Sequence, residues 1–417
     1  MPRAILMALL AVLIVSPAQA TDKDTPKAIT KVETLTQAVD WLQSKSTTMI
    51  RGAARKMNDG TTAFPPDAAA SYDAFWLRDY AYMLEGRADV FTEAELKAAY
   101  LCFIKAQRED GAMVDCVKFD GTPCYMPGYG TMGANPVADG SQFSLDVAWH
   151  TWERTKGKKL IADTADKLIK AMNATPRDPA NGLVYVKPGP DPDRCPYGFT
   201  DSIRKQGDEL FCSILYVQAS RQLSDLLSVV GRKDDAKHWK SEADRVKKSI
   251  NTVFWDPKIG LYNAATIVCK QPDIWGSAFA VYIGVADKKQ SKAIATYFKD
   301  HYHEIVKRGQ LRHLPGGMYW QATYGDPTGA GGHDVYQNGA YWATPIGWFV
   351  YTLDLVDHKL ADLTVVDMVN DFIVTGDENE CINDNYGNVP HYMDSVALPL
   401  DGIRAMRKRR EGGRSSR

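Results

Sequence analysis

The sequence predicts an all-α fold in which six antiparallel helical hairpins form a ring. Apolar residues recur every three to four positions along most of the 417 residues, and strand-like runs are few. Short connections also alternate with long loops, which is typical of stacked helical hairpins. At roughly 60–65 residues per hairpin with its loop, the chain holds six of them. A helical solenoid is the competing architecture, but its repeats are shorter and more regular.

The first 20 residues have the layout of a secretory signal peptide. Arg3 supplies a positive charge, residues 4–15 are apolar, and residues 18–20 read Ala-Gln-Ala, a small-x-small cleavage site. The apolar run is too short to span a bilayer stably. We therefore expect an exported protein, periplasmic or extracellular, with no membrane segment after cleavage. Residues 21–406 are expected to form one domain, and residues 407–417 a basic, disordered tail.

Two helical hairpins can be read directly from the apolar spacing. One helix runs from Phe211 to Val230, stops at Gly231 and is followed by a helix through Trp239 and Ile250. The same plan appears earlier, with a stop at Gly157. Further hairpins are expected around residues 86, 285–287 and 355–361. The long loops between hairpins cover roughly 110–140, 176–206, 256–275, 311–340 and 375–395. In a ring, these loops share one end. Residues 183–186 are the clearest strand-like run.

Composition excludes several classes of function. The formal net charge is −1, with acids and bases interleaved, so nothing attracts a nucleic acid backbone. Seven cysteines are too few for a disulfide scaffold. Cys116 and Cys124 form the best candidate pair, whereas Cys102 and Cys212 lie in helical patterns and are expected to be buried. No P-loop, nucleotide-binding glycine motif or serine-nucleophile motif is present. We expect neither metal nor cofactor.

The segment FWLRDY at 75–80 is the most informative motif. Arg78 offers a planar fork of donors, Asp79 offers acceptors and Trp76 offers a flat apolar face. A sugar ring needs this set of groups, because it has hydroxyls on its edge and C–H groups on its face. The alternative is an Arg–Asp pair that fastens a loop to a helix.

Three further segments carry polar and aromatic groups. Asp201 follows an aromatic pair shortly before the helix at Leu210, although Asp is also a frequent helix cap. Glu378 and Glu380 lie in the acidic segment 377–384 of the last long loop, and this segment lacks the spacing of a calcium-binding EF-hand. The third segment, 333–342, carries residues that hydrogen-bond and stack on a neutral polyhydroxylated ligand: His333, Tyr336, Gln337, Asn338 and Trp342.

Carboxylates from distant loops, accompanied by aromatics and an Arg–Asp pair, favour glycoside hydrolysis. One carboxylic acid protonates the leaving oxygen, and a second carboxylate activates water or attacks the sugar. Burial against aromatic residues can supply the raised pKa that the acid needs.

The chain resembles the six-hairpin glycosidases, the (α/α)6 toroids, and is most similar to their glucoamylase-like and glycogen-debranching or trehalase-like branches. The resemblance rests on motifs whose order matches: WLRD at 76–79, QREDGAM at 107–113, GFTDS and GDELF within 198–211, YQNGAYWATPIGW at 336–348, NECIN at 379–383 and HYMDSVALPLDGIRAM at 391–406.

The resemblance implies roles for individual residues. Asp201 falls where such enzymes have their general acid, and the base is a Glu in the last long loop, which favours Glu380 over Glu378. Arg78 and Asp79 match the pair that holds the terminal sugar. The chain departs from glucoamylases in having Asp201 in place of paired glutamates and Cys381 after the base. Other residues implied to line the sugar pocket are Trp76, Asp110, Trp320, His333, Tyr336, Gln337, Asn338 and Trp342.

The resulting hypothesis is an exported, inverting, exo-acting glycoside hydrolase, monomeric and acting on a carbohydrate without nucleic acid partners. Two alternatives remain at this point. A sugar epimerase or polysaccharide lyase on the same fold would use His313, His333 or His391 for proton transfer. A glycan-binding protein without catalysis would bind sugars and release them unchanged.

Overall fold

A computed structural model describes residues 30–125, 137–189, 202–323 and 332–414. The signal-peptide interpretation, Asp201 and Cys195 lie outside these ranges. Helices dominate the structure, as the sequence predicted. They are α1 (Leu35–Ala53), α2 (Leu77–Arg87), α3 (Glu93–Lys105), α4 (Gly140–Thr155), α5 (Lys158–Ala174), α6 (Leu210–Val229), α7 (Lys233–Val253), α8 (Ile274–Tyr282), α9 (Lys288–Asp300), α10 (Tyr302–Ile305), α11 (Ile346–Leu353), α12 (His358–Thr375), α13 (Met393–Ala397) and α14 (Pro399–Arg414).

The helices that the sequence singled out begin and end close to the predicted residues. Gly231 has a φ of 84°, and it separates α6 from α7 as expected of a left-handed cap. Short connections also join α2 to α3, α4 to α5, α8 to α9 and α11 to α12. The intervening segments between the other helices are the long loops. The predicted alternation of short and long connections is therefore present.

Two kinds of helix make up the fold. Every residue of α2 is buried, and α8 is buried from Ile274 to Val281. In α7, by contrast, the buried residues form one stripe that includes Trp239, Val246 and Ile250. A helix buried on all sides belongs to an interior layer, whereas an amphipathic helix covers it. The buried layer forms a closed circuit of contacts: α2 packs on α4, α4 on α6, α6 on α8, α8 on α11, α11 on α14, and α14 on α2. This arrangement is consistent with a helical toroid.

Glycine allows the closest approach in this circuit. A Cβ placed on Gly402 of α14 would lie 2.2 Å from the carbonyl oxygen of Gly347 in α11. Such a contact is impossible for any residue with a side chain, so the two backbones touch only because both positions are glycine.

The long loops contain short strands that the sequence did not reveal. The strands are β1 (Arg55–Lys56), β2 (Thr62–Ala63), β3 (Ala74–Trp76), β4 (Cys116–Lys118), β5 (Pro123–Cys124), β6 (Tyr185–Val186), β7 (Gly207–Asp208), β8 (Trp255–Asp256), β9 (Leu261–Tyr262), β10 (Val306–Lys307), β11 (Gln310–Arg312), β12 (Tyr341–Trp342), β13 (Cys381–Asn383) and β14 (Tyr386–Asn388). An antiparallel sheet of order β10-β11-β12-β13-β14 joins two long loops that are distant in sequence. The strand-like run at 183–186 contributes β6, which pairs with β7.

The C-terminal residues are helical, and the cysteines in the described ranges are buried. The expected disordered tail from residue 407 is wrong as far as residue 414, because α14 continues to Arg414. Arg409 and Arg410 each bind the buried carboxylate of Asp354, which fastens the end of this helix to α11. Cys102 and Cys212 are buried as predicted, and Cys116 lies opposite Cys124 across β4 and β5, with both present as free thiols. Among the helices described, none combines the length and the apolar character needed to cross a bilayer.

Candidate active site

Arg78 and Asp79 lie in the first turn of α2, directly after β3. The N-terminal end of a helix stabilises a carboxylate, which suits Asp79 at this position. The hydroxyl of Tyr392 donates to Asp79 Oδ1 at 2.7 Å. Arg78 Nη2 lies 3.7 Å from Asp139 Oδ2, at the start of α4. Both residues are buried, so the pair belongs to an internal polar network and does more than fasten a surface loop.

Glu380 is held at the edge of the β13–β14 hairpin. Its backbone N–H donates to the carbonyl oxygens of Asn388 and Val389, and its Oε2 accepts from Asn388 Nδ2 at 2.9 Å. The hydroxyls of Tyr72 and Tyr336 lie 3.4 Å and 3.5 Å from Oε1. Only 3% of Glu380 is exposed. The carboxylate is therefore positioned by neutral amide and hydroxyl groups that come from three loops.

Glu378, two residues earlier, has a different environment. Its Oε1 lies 2.8 Å from the ammonium of Lys45, and its Oε2 lies 3.0 Å from His391 Nδ1. Its backbone carbonyl accepts from Tyr392 N at 2.7 Å. Because an ion pair already uses the Glu378 carboxylate, Glu380 is the better candidate for a base.

Aromatic contacts link Glu380 to the Arg–Asp segment. The ring of Tyr72 lies edge-on to Trp76, with centroids 5.6 Å apart, and 6.4 Å from the ring of Tyr392. Tyr72 thus contacts Glu380, and Tyr392 beside it contacts Asp79. Residues separated by about 300 positions are brought together here, and the roles of Trp76, Asp79 and Glu380 in a sugar site stay predictions.

A further buried carboxyl group, Asp394, extends this cluster. Tyr392 OH lies 3.4 Å from Asp394 Oδ2. Burial, with the nearby charge of Asp79, raises the pKa of Asp394 well above its usual value. Tyr72, Tyr392 and Asp394 were not predicted as site residues. Tyr392 and Asp394 fall within the motif at 391–406, but the sequence contains no signal for Tyr72.

The backbone around Glu380 is strained. Tyr336, Val389 and His391 have φ values of 41°, 44° and 57°. Residues with side chains adopt this region at a cost, and such strain is common at functional sites. Val389 accepts a hydrogen bond from Glu380, and Tyr336 directs its hydroxyl at the same carboxylate.

The remaining residues of segment 333–342 divide into structural and exposed groups. Gln337, Asn338 and Trp342 are buried, and Asn338 Oδ1 accepts from Trp320 N at 2.8 Å. Trp320 Nε1 donates to Gln337 O, and Trp342 Nε1 to Tyr336 O. These contacts shape the loop that presents Tyr336. Substrate contact by Gln337, Asn338, Trp320 and Trp342 stays a prediction.

Asp110 and His333 lie on the surface. Asp110 accepts hydrogen bonds from Arg108, with half of its side chain exposed. His333 stacks on Tyr319, with ring centroids 3.8 Å apart. None of these contacts joins either residue to Glu380.

The loop that carries Asp201 is fastened to the same region through its neighbour. Asp201 itself lies outside the described residues, but Ser202 N and Oγ donate to Gln337 Oε1 at 2.9 Å and 2.8 Å. The described part of this loop therefore begins next to the segment that holds Tyr336.

A cluster of buried charged residues includes Lys205 of the same loop, and the sequence did not predict it. Lys205 Nζ lies 3.0 Å from Glu209 Oε1 and 3.4 Å from Asp273 Oδ2, and all three side chains are fully buried. Glu209 caps α6 and Asp273 caps α8. Burial by itself would lower the pKa of Lys205, but the two carboxylates outweigh it and raise the pKa above the usual value. The motif GDELF contains Glu209, yet no pattern signals a lysine with two acidic partners.

The histidines needed by the alternative chemistry do not converge. His313 is buried between Trp275 and Trp320, with Nε2 3.2 Å from Asp273. Burial lowers the pKa of His313 despite that neighbour, so it is neutral. His391 is bound to Glu378, and His333 is exposed. No group of three or more His, Cys, Asp or Glu side chains in the described ranges has the geometry to hold a metal ion.

Comparisons with known proteins bear on the fold. No family model matches the sequence. A sequence search of curated proteins finds no relative. The structure is similar to a GH63 mannosylglycerate hydrolase from Thermus thermophilus, solved with glucose, at a TM-score of 0.61 and 14% identity, covering 87% of this chain and 99% of that one.

Two rhamnosidases are similar as well. One is from Klebsiella oxytoca with rhamnose bound, at a TM-score of 0.60 and 14% identity, covering 88% of this chain and 64% of that one. The other is a GH78 rhamnosidase from a Bacillus species, at a TM-score of 0.58 and 13% identity, covering 87% of this chain and 34% of that one. The chain thus shares its fold with these glycosidases.

Proposed function

We propose that this protein is an exported glycoside hydrolase on a six-hairpin (α/α)6 toroid, inverting and exo-acting, with Glu380 as the general base and Asp201 as the general acid. The observation that carries the proposal is the assembly of Glu380, Tyr72, Tyr392 and Asp79 from loops far apart in sequence. The glycosidase folds of the structural neighbours support it as well.

In this mechanism Glu380 accepts a proton from water as the water attacks the anomeric carbon. Hydrogen bonds from Asn388 and from two tyrosine hydroxyls orient the carboxylate for this step. Asp201 protonates the departing oxygen on the other face of the sugar. Inversion requires a carboxyl separation of roughly 6.5–9.5 Å, so that a water molecule fits between the sugar and the base.

Sugar recognition is assigned to the Arg–Asp segment and its aromatic neighbours. Asp79 accepts from sugar hydroxyls while Tyr392 holds its orientation, and Arg78 donates on the same side. Trp76 and Tyr336 offer apolar faces to the C–H groups of the ring. Since the neighbours are named for mannosylglycerate and rhamnose, and one was solved with glucose, mannosides, rhamnosides and glucosides of both anomeric configurations are the first substrates to test.

The test is a screen of the purified mature protein against nitrophenyl glycosides and reducing-end oligosaccharides, followed by variants assayed on the best substrate. Glu380→Gln is expected to lower kcat about 10²- to 10⁴-fold, the usual contribution of a general base. NMR of the first-formed product is expected to show the anomer opposite to that of the substrate.

Glu378→Gln is the matched control, two residues away and equally buried. It breaks the contact with Lys45 and His391, so it is expected to lower stability while kcat stays within about tenfold of the wild type. Equal loss of kcat in both variants would remove the assignment of Glu380. An unsaturated product absorbing in the ultraviolet would indicate a lyase, and sugar binding without turnover a binding protein.

A further inference from the structure

The end of the helical layer opposite the long loops contains a cavity of about 400 Å³. Residues from six helices line it: α2, α4, α6, α8, α11 and α14. A volume of this order suits a small-molecule ligand. The long-loop residues discussed above do not contribute to this cavity, so its properties are independent of the proposed hydrolase activity.

Two buried carboxyl groups, Glu85 and Asp146, lie at this cavity with amide partners. Gln218 Nε2 donates to Glu85 Oε1 at 3.2 Å, and Gln222 Nε2 donates to Asp146 Oδ1 at 2.6 Å. Glu85 is 7% exposed and Asp146 is 4% exposed. Across the described structure, Glu85 Oε2 and Asp146 Oδ2 have no hydrogen-bond partner in the protein. Unpaired carboxylate oxygens at this depth are costly, so they indicate an interaction partner.

The two glutamines present acceptors as well. Each amide nitrogen donates to a carboxylate. The amide oxygens, Gln218 Oε1 and Gln222 Oε1, have no donor in the described part of the chain. The unsatisfied oxygens beside the cavity therefore come from Glu85, Asp146 and both glutamines, and all of them are acceptors when the two carboxyl groups are ionised. An ammonium group has three donors and no acceptor, so it complements such a set.

The two arginines near the cavity, Arg221 and Arg404, donate to other groups. Arg221 donates to the carbonyl oxygen of Ile283 at 2.7 Å. Arg404 donates to the backbone carbonyls of Glu85 and Gly86, and it lies 3.7 Å from Asp401. Asp401, the third carboxylate at the cavity, also accepts from the hydroxyl of Tyr282. Arg221 also lines the cavity, and in these contacts neither arginine donates to the carboxylate oxygens of Glu85 or Asp146.

The pKa shifts at the cavity indicate that no protein cation in the described ranges compensates the charges of these two carboxyl groups. Burial, together with the charges of Asp146 and Asp401, raises the pKa of Glu85 well above its usual value. Burial raises the pKa of Asp146 to about 7. His150 Nε2 lies 3.6 Å from Asp146, but burial lowers the pKa of His150 to about 4, so it supplies no charge at neutral pH.

We infer that this cavity binds a small organic cation, a primary amine on a short alkyl chain, through Glu85, Asp146 and the oxygens of Gln218 and Gln222. The rings of Trp149, Tyr282 and Tyr351 line the same cavity and accept an alkyl chain or a cation on their faces. A divalent metal is the less suitable occupant, because no three metal-binding side chains within the described ranges lie close enough to coordinate one.

The experiment is isothermal titration calorimetry of the full mature protein with 1,4-diaminobutane, and with 1,4-butanediol as the neutral molecule of the same length. We expect the diamine to bind saturably with one equivalent per chain, and the diol not to bind. Glu85→Gln is expected to weaken diamine binding about tenfold or more, because it removes the charge and keeps the shape. Glu153→Gln, on the exposed side of α4, is expected to bind like the wild type.

A second measurement needs no variant. Because the pKa of Asp146 is about 7 in the free cavity, its carboxyl group is partly protonated at neutral pH, and binding of a cation should release protons to the buffer. The apparent binding enthalpy should therefore differ between phosphate and HEPES buffers by their heats of ionisation. Any one of four results would overturn the inference: no saturable diamine binding, equal binding of the diol, binding unchanged by Glu85→Gln, or equal enthalpies in both buffers. Saturable binding of Ca²⁺ that excludes the diamine would overturn it too, in favour of a metal ion.

Discussion

Two clusters of buried carboxylates, one at each end of the helical layer, have different kinds of partners. At the long-loop end, Glu209 and Asp273 share the buried ammonium of Lys205, and each also accepts a backbone N–H at the start of its helix. At the opposite end, the described contacts of the Glu85 and Asp146 carboxyl groups are glutamine amides and a neutral histidine. In the first arrangement the pKa of Asp273 is lowered despite its burial, although burial raises the pKa of Glu209, and in the second burial raises the pKa of Asp146 to about 7.

The positions of these carboxylates relative to the helix termini account for part of this difference. Asp79, Asp139, Glu209 and Asp273 lie at or next to the N-terminal ends of buried helices, where the helix dipole favours negative charge. Glu85 lies in the last turn of α2, where the same dipole opposes it. The helix termini therefore favour the anionic forms of these four residues, whereas the terminus near Glu85 opposes its anionic form.

The largest effect is expected from removing the buried lysine. Lys205→Met leaves Glu209 and Asp273 without their shared cation in a site that no solvent reaches, so the free energy of unfolding should fall by about 3–5 kcal/mol. Urea denaturation followed by circular dichroism measures this loss. Lys237→Met, at an exposed position of α7, serves as the control and should leave the stability nearly unchanged. A stable Lys205→Met protein would show that the lysine does not compensate these charges.

The next effect is a pH dependence that arises from Asp146. Its pKa is about 7 in the folded chain and near the ordinary value of 3.8 when unfolded. Between these values the folded chain holds a proton that the unfolded chain has released, so stability falls as the pH rises. The contribution is complete below about pH 4 and lost above about pH 7, with a slope of at most about 1.4 kcal/mol per pH unit.

Asp146→Asn isolates this contribution, because asparagine accepts the same hydrogen bond from Gln222 and does not titrate. Denaturation of both proteins at pH 5 and pH 8 gives the comparison. The wild type should lose more stability than the variant between the two pH values. Parallel losses in the two proteins would contradict the raised pKa.

Most of the fold prediction rested on the spacing of apolar residues along the chain. The outer helix α7 could be read from Trp239, Val246 and Ile250 because it is amphipathic, and Gly231 marked the boundary before it. The sheet from β10 to β14 could not be read, since strands of two or three residues are too short to show alternation. That sheet is nevertheless what places Glu380 beside Tyr336.

The site could be predicted only as far as its motifs reach. Asp79 and Glu380 lie in recognisable segments, whereas Tyr392 binds Asp79 across 313 positions of sequence. The role of Lys205 could not be predicted either, because one sequence gives no sign of which distant acids surround a lysine. The sequence reported residue types and spacing, and only tertiary packing decides which charges become partners.

The smallest expected effect is the change in the free energy of unfolding in two glutamate variants, one at each end of the helical layer. Glu209→Gln removes a charge that both Lys205 and Cys212 N contact, and hydrogen bonds to charged groups contribute most, so it should cost about 1.5–3 kcal/mol. In Glu85→Gln the amide replaces a carboxyl group whose pKa is raised by burial, which favours its neutral form, so the change should stay below about 1 kcal/mol. Urea denaturation at pH 7 without added amine measures both. If Glu85→Gln cost as much as Glu209→Gln, the Glu85 carboxylate would have to be charged and compensated, and the contrast between the two ends would disappear.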